Sequence, residues 1–477
     1  MDTGEYRYDP EEHHGPLLYY ATLPIIWLSG AEQFSLTTET VYRAVPAVFG
    51  LLLVLASPLL SGVISMQAAI WAALFTAVSP ALVFYSRFYI QESLLVFFTF
   101  LSFVTGWRCL TRRSYFWPVT CGLSLGAMYA TKETCILAYA SMFAAILFVS
   151  LTARGRRTAI TFLMERATVY RLVLAVLTAI AIAALFYSSF MTNPAGPIDS
   201  VRSFALYFHK GTGGDTEHVH PWFFYLRLLT WSRTGPGPWW SEAFLLLLAL
   251  LGLVAAFLPS CDKLSKDPYF TRCIAVYAVT ITLLYTFIPY KTTWCMLSFL
   301  HALIILAALG ACFLVKIARR IPFQAIVAAL ILAGAAHLSR QAWAASVDRR
   351  FFCDTRNPYV YAHTSIDFLR LVKRVDELSA VHPDGRNMLI AVVTPPDKYW
   401  PLPWYLRQYG QVGYWPSLSS LPANEPAIII VDPDQSESSP VLTRENFTFE
   451  YYGLRPDVPL CMYIRRDLWE AFLKTRM

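Results

Sequence analysis

The chain has 477 residues, 56% of them hydrophobic and only 15% charged, with a net charge of +7. A soluble domain carries roughly 25% charged residues. The mean hydropathy of +0.45 and the repeated apolar runs of bilayer length exclude an ordinary globular protein and predict a polytopic α-helical membrane protein. The positive charge sits in short loops, so it speaks to topology and gives no reason to expect a nucleic acid partner. The nine Cys show no CxxC pair and no Cys/His metal spacing.

In chain order, residues 2–15 are polar and irregular. Residues 16–30 are apolar but short and broken by Pro, and with Tyr19, Tyr20 and Trp27 they read as a helix lying on the membrane interface. About ten spans follow, at 44–60, 68–84, 93–110, 116–131, 135–151, 171–190, 243–259, 272–289, 294–316 and 322–338. The fourth is the weakest, because Gly122, Gly126 and its length suit a short or tilted helix.

The basic loops assign the sides. Arg108, Arg112 and Arg113, then Arg154, Arg156 and Arg157, then Lys263 and Lys266, then Lys316, Arg319 and Arg320 all fall on one side of the alternation, which is therefore cytoplasmic. This places residues 1–43, the long loop 191–241 and residues 340–477 outside, with a transmembrane region at 44–339. An outward start with no signal segment predicts a further span upstream of Met1.

Residues 340–477 read as a small soluble α/β domain. The segment 362–380 has helical spacing, with Ile366, Leu369, Val372, Val375 and Leu378 expected on one face. Strands are expected at 387–393, 427–431, 447–452 and 461–464. Cys353 and Cys461 would lie on an oxidising side, where a bridge between them and a pair of buried free thiols are both open.

The chemistry is expected in the outward links. Residues 79–93, SPALVFYSRFYIQES, put Arg87 and Glu92 among aromatics between two apolar runs. Lys132-Glu133 and Lys291 occupy two further links. Lys and Arg are disfavoured on the outer side, and an anionic lipid phosphate there would account for them. The plainer reading is a set of interfacial anchors, including an internal Lys132–Glu133 pair. The opening 6–20, YRYDPEEHHGPLLYY, adds Asp9, His13 and His14, side chains that serve as acid, base or metal ligand. An exposed Asp-Pro is otherwise a turn. His218 and His220 lack a third ligand at metal spacing. Tyr and Trp faces suit sugar rings and lipid heads, which nominates Tyr8 and Trp404, the latter in the 400–409 segment.

YRYDP…HGPLLYY, RAVPAVFG, SPALVFYSRFYIQES, GAMYATKET, IPYKTTW and YWPLPWYLRQYG occur here in the order in which they occur in one family. The chain resembles the flippase activity-associated membrane proteins over nearly its whole length. That family is similar to the GT-C class of glycosyltransferases, which includes the protein mannosyltransferases and the lipid A aminoarabinose transferases. The resemblance implies a GT-C-like transmembrane region and an acidic base in the first outward loop, a motif this chain lacks. It matches Glu92 to an acidic residue of the second outward loop, with Arg87 upstream. Lys132 and Lys291 fall where it places basic residues near the lipid phosphate.

The expected function is transfer of a sugar from a polyprenyl-phosphate donor to an acceptor at the outer face. Glu92 and Asp9 are the candidate catalytic carboxylates, although Asp9 lies outside the family's first-loop position. Arg87, Lys132, Lys291, His14, Tyr8 and Trp404 are the candidate substrate contacts. Two roles are open for Glu92: orienting the acceptor, or holding a divalent metal. The alternatives are a flippase-associated component and a non-catalytic partner in the assembly of lipid-linked glycans.

Overall fold

The computed structural model describes residues 6–11, 14–152, 165–209, 212, 218–258, 265–395, 398–421, 425–436, 442, 445–456 and 458–476. His13, Arg154, Arg156, Arg157 and Lys263 lie outside the described residues. The chain divides into two compact units, Met1–Asp348 and Arg349–Met477.

The first unit is helical: α1 (Leu17–Ser29), α2 (Glu39–Ala56), α3 (Met66–Val78), α4 (Pro80–Tyr85), α5 (Glu92–Thr111), α6 (Phe116–Tyr129), α7 (Cys135–Leu151), α8 (Arg166–Tyr187), α9 (Gly196–His209), α10 (Phe224–Thr230), α11 (Ala243–Phe257), α12 (Pro268–Phe287), α13 (Leu297–Ile317) and α14 (Ile321–Ser346). Among the described residues, six helical segments are long and apolar enough to cross a bilayer: Glu39–Gly62, Glu92–Thr111, Arg166–Tyr187, Pro268–Phe287, Thr293–Ile317 and Ile321–Ser346. The apolar helices α1, α3, α7 and α11 are shorter. The 13 residues of α1 reach about 20 Å, short of a hydrocarbon core of about 30 Å.

The run at 68–84 is two helices. Its break falls at Ser79, whose backbone is extended (φ −63°, ψ 118°). The residue before a proline is pushed out of the α region, and Pro80 then starts the next helix. Glu242 caps the break: Ser79 Oγ donates to its Oε2 at 2.6 Å and the Ala81 amide to its Oε1 at 3.0 Å. The last helix also runs past its expected end at 338, to Ser346.

Small residues set a close helix crossing. A Cβ added at Gly252 would come within 1.8 Å of the Leu306 carbonyl oxygen, and one at Gly310 within 2.0 Å of that of Leu248. Only glycine lets α11 and α13 approach so closely. The described basic loops gather at one end of the bundle. There Arg108 Nη2 donates to the Leu59 carbonyl at 2.6 Å and Lys266 Nζ to that of Ser61 at 2.7 Å. Asp267 caps α12 by accepting from the amides of Tyr269 and Phe270.

The second unit holds a five-stranded sheet in the order β2-β1-β3-β5-β4. Its strands are β1 (Ile390–Val393), β2 (Val412–Trp415), β3 (Ile428–Val431), β4 (Phe447–Arg455) and β5 (Val458–Arg465). The strands β2, β1 and β3 are parallel, and β5 runs antiparallel to β3 and β4. The runs IAVV and IIIV are buried on both faces, which is why they lack alternation. The helices α15 (Ile366–Ser379) and α18 (Arg466–Lys474) pack on one face with Ile390, Val392, Ile428 and Ile430; the short α16 (Leu402–Tyr405) and α17 (Pro433–Ser436) lie in connections.

The buried stripe of α15 is Phe368, Leu371, Val375 and Leu378, whereas Leu369 is 44% exposed. The expected stripe is rotated because Phe368, the largest apolar side chain of the helix, takes the core position. Strand β2 has no counterpart among the expected strands; four residues containing Gly413 give no period-two signal. Cys353 and Cys461 are both free thiols, and Cys461 is packed within the sheet core, so the bridge left open by the sequence is not formed.

Candidate active site

The candidate residues of the first unit collect at the end of the bundle opposite the Arg108 and Lys266 loops. Three segments build the place: the start of α5, the turn 130–134 between α6 and α7, and the link 288–296 before α13.

Glu92 opens α5 and is 1% exposed; Lys132, in the turn, is 4% exposed. Lys132 Nζ donates to Glu92 Oε1. Burial works against the Lys132 ammonium, but the adjoining Glu92 carboxylate outweighs it and the pKa rises. The second oxygen of Glu92 is buried and has no hydrogen-bond partner among the described residues.

The next residue serves a different neighbour. Adjacent residues in a helical turn do not face each other, so Lys132 and Glu133 do not pair. Glu133 turns to His14, whose Nδ1 lies 2.8 Å from Glu133 Oε2. The Tyr207 hydroxyl is 2.9 Å from the same nitrogen, and the two rings stack at 5.3 Å. Glu133 is 2% exposed, and its Oε1 has no hydrogen-bond partner among the described residues.

Gly15 explains how the opening segment reaches this turn. A Cβ there would lie 2.3 Å from the Ala130 carbonyl oxygen, and that same oxygen accepts from the Leu17 amide at 2.9 Å. His-Gly-Pro thus docks flat on the 130–131 backbone and delivers His14 beside Glu133. Tyr8 is buried at 4% exposure, edge-on to Tyr187 at 4.7 Å, with burial raising its hydroxyl pKa to about 12.

The third segment carries Lys291, which is 1% exposed. Its Nζ donates to the carbonyls of Ile288 and of His220, the latter at 3.3 Å. No carboxylate among the described residues lies within ion-pair distance of it, and burial pushes its pKa down. The long loop is pinned here: Lys291 N donates to the His218 carbonyl at 2.9 Å and His220 N to that of Pro289 at 3.1 Å. The same link adjoins the Glu92–Lys132 pair, since Tyr85 donates to Thr293 Oγ1 at 2.6 Å and Cys295 lies in the field of both charges.

Arg87 is exposed and does not pair with Glu92; partial desolvation and then the charge of Arg43 lower its pKa. Asp9 is exposed, and its Oδ1 accepts from the Glu11 amide at 2.9 Å, the turn geometry of Asp-Pro. Trp404 belongs to the second unit, where the Arg407 guanidinium lies 3.7 Å from its ring centroid. Among the described residues, no three His, Cys, Asp or Glu side chains converge to hold a metal ion. At Glu92 the neighbouring charge is that of Lys132.

Glu133 and Tyr207 were outside the candidate residues named from sequence. Glu133 was hidden by its neighbour, because Lys-Glu reads as a self-sufficient pair. Tyr207 gives no local signal, since only the fold brings α9 to the 130–134 turn.

Residues 19–193 match the family model of dolichyl-phosphate-mannose-protein mannosyltransferases. The chain is similar to the crystal structure of ArnT from Cupriavidus metallidurans in the apo state, with a TM-score of 0.57 and 15% identity over 94% of this chain and 87% of that one. It is similar also to ArnT bound to undecaprenyl phosphate, with a TM-score of 0.53 and 14% identity over the same shares. No protein of curated function matches it in sequence. The fold is that of the GT-C-like multi-pass membrane proteins, and the chain is an integral membrane protein that resembles the protein mannosyltransferases and ArnT.

Proposed function

We propose that the chain transfers a sugar from a polyprenyl-phosphate donor to an acceptor at the outer face of the membrane. The observation that carries this reading is Lys291, a buried cation held only by carbonyls with no carboxylate among the described residues beside it. A buried charge without a counterion is costly, and an arriving phosphate would relieve that cost. Transfer releases the lipid phosphate, so a cation that gains most as the negative charge departs accelerates the reaction. In this reading Lys291 meets that phosphate, and Arg87 stands toward solvent as a second cation. Lys132 holds Glu92 in place, with the second oxygen of Glu92 orienting the acceptor. Tyr8 and His14 are contacts to sugar or lipid head, and Asp9 is a second carboxylate. The capture of undecaprenyl phosphate by ArnT, a protein of the same fold, supports a lipid donor. The basic loops at the opposite end of the bundle support an outward site and an outward C-terminal unit.

The test uses proteoliposomes loaded with dolichyl phosphate mannose or undecaprenyl phosphate aminoarabinose, each labelled in the sugar. Release or transfer of label is expected, reduced about 10²–10³-fold in Lys291→Met. Movement of the lipid across the bilayer with the sugar still attached would overturn transfer in favour of a flippase-associated role.

A further inference from the structure

We infer that the C-terminal unit carries a carbohydrate-binding site of its own, at the carboxyl edge of its parallel strands, around Thr394, Asp432 and Gln435. The sheet order β2-β1-β3-β5-β4 sets the place. From β1 the chain goes to β2 on one side, and β3 returns on the other side of β1. In an open α/β sheet such a reversal leaves a crevice beyond the strand ends, and ligands bind there.

Val393 pairs with Val431, and the Asp432 amide donates to the Val393 carbonyl at 3.3 Å. The next residues, Thr394 and Asp432, therefore follow side by side past that edge. Val392 and Ile430 face the helical side of the sheet. A period of two puts Thr394 and Asp432 on that side, together with Tyr414 of β2. Thr394 is 3% exposed, and its hydroxyl makes no hydrogen bond among the described residues. The short α17 brings Gln435 across the same edge. Its amide nitrogen lies 3.5 Å from the carbonyl of Pro416, just past β2, and its buried Oε1 has no partner among the described residues. Buried polar groups left unsatisfied are costly, and the hydroxyls of a ligand would satisfy both.

The charges narrow the ligand. Lys398 Nζ donates to Asp432 Oδ2 at 2.7 Å, and the Asp434 amide to Oδ1 at 3.1 Å. The lysine opposes a cation at this place, and the carboxylate opposes a phosphate. A carboxylate has about four acceptor positions, so Asp432 retains capacity for hydroxyl donors. Aromatic faces stand alongside. Tyr399, next to Lys398, lies against Tyr414 with ring centroids 4.9 Å apart, and both Tyr414 and Trp400 are exposed. Paired charges, unsatisfied polar groups and exposed rings together fit a neutral sugar, which stacks its C–H face and donates its hydroxyls.

The experiment uses the full chain in nanodiscs, with maltotriose and mannotriose as probes and saturation-transfer NMR as the readout. At least one trisaccharide should bind the wild type. Thr394→Val removes the hydroxyl at constant shape, so it should weaken binding about three- to tenfold without lowering the melting temperature. Trp400→Ala should weaken binding as well. A lower melting temperature in Thr394→Val would show that the hydroxyl serves the fold, and would overturn the site. So would the absence of a signal from both probes, or binding that both variants leave unchanged. Binding is read without turnover, so the result is separate from the transfer reading.

Discussion

Lys132 Nζ donates to Glu92 Oε1 across 40 positions of sequence, with both side chains almost wholly buried. The pair ties the turn after α6 to the first residue of α5. Among the described residues it leaves one Glu92 oxygen unpartnered, with Cys295 of the link 288–296 in the field of both charges. Two charges removed from water are tolerated only together, so the geometry of this end of the bundle depends on both.

A double-mutant cycle measures that dependence. Removing one partner of a buried ion pair typically costs about 3–5 kcal/mol. Lys132→Met should therefore lower the thermal stability of the detergent-solubilised protein sharply, and Glu92→Gln with Lys132→Met should recover part of the loss. Glu92→Gln alone should abolish sugar transfer. An additive cycle would mean the two side chains do not interact, and unchanged transfer by Glu92→Gln would return it to a structural role.

Gly15→Ala tests the docking of the opening segment. The new methyl would lie 2.3 Å from the Ala130 carbonyl oxygen, and backbone has to move to admit it. Overpacking of this kind costs about 1–3 kcal/mol. The expected outcomes are a lower melting temperature and faster hydrogen exchange at Leu17, whose amide is bonded to Ala130. Unaltered exchange would show that the segment is held by other contacts.

The basic loops set the expected topology. Single cysteines introduced at Glu470 and Tyr115, both exposed, should react with a membrane-impermeant maleimide from opposite sides, Glu470→Cys from outside intact cells. Labelling of both from the same side would reverse or destroy the outward site.

Acid should loosen the C-terminal unit selectively. Arg356 holds the Asp354 carboxyl below its ordinary value, and Arg465 does the same for Asp467. A carboxylate whose folded pKa is depressed gives stability that is full above the unfolded pKa of about 3.9 and is lost as pH falls through the folded one. The groups are largely exposed, so the effect is modest. Hydrogen exchange of peptides from β5 and α18 should rise below about pH 4, and Arg465→Ala should flatten that dependence. An identical acid profile in the variant would remove the pair from the account.

Much of the site was legible because ionisable residues are scarce in an apolar chain. Lys132, Lys291, Glu92 and His14 announce themselves against their background. What could not be read was their pairing. The carboxylate of Glu92 has Arg87 five positions upstream, yet its partner is Lys132. Lys132 has Glu133 beside it, yet the two side chains diverge. Partners along a chain are judged by spacing, whereas partners in a fold are set by which helices come to lie together.

Composition and hydropathy by themselves determined the class of this protein, the positions of most helices, the basic loops and the burial of IAVV and IIIV. These are properties of local segments, governed by the transfer of apolar side chains out of water and by backbone hydrogen bonds that each segment must satisfy. Tertiary structure alone decided the break of α3 from α4 over Glu242, the rotation of the buried face of α15, and the joining of His14 to Glu133 and Tyr207. Each of these depends on a side chain that arrives from a distant part of the chain, and no local period or propensity encodes such an arrival.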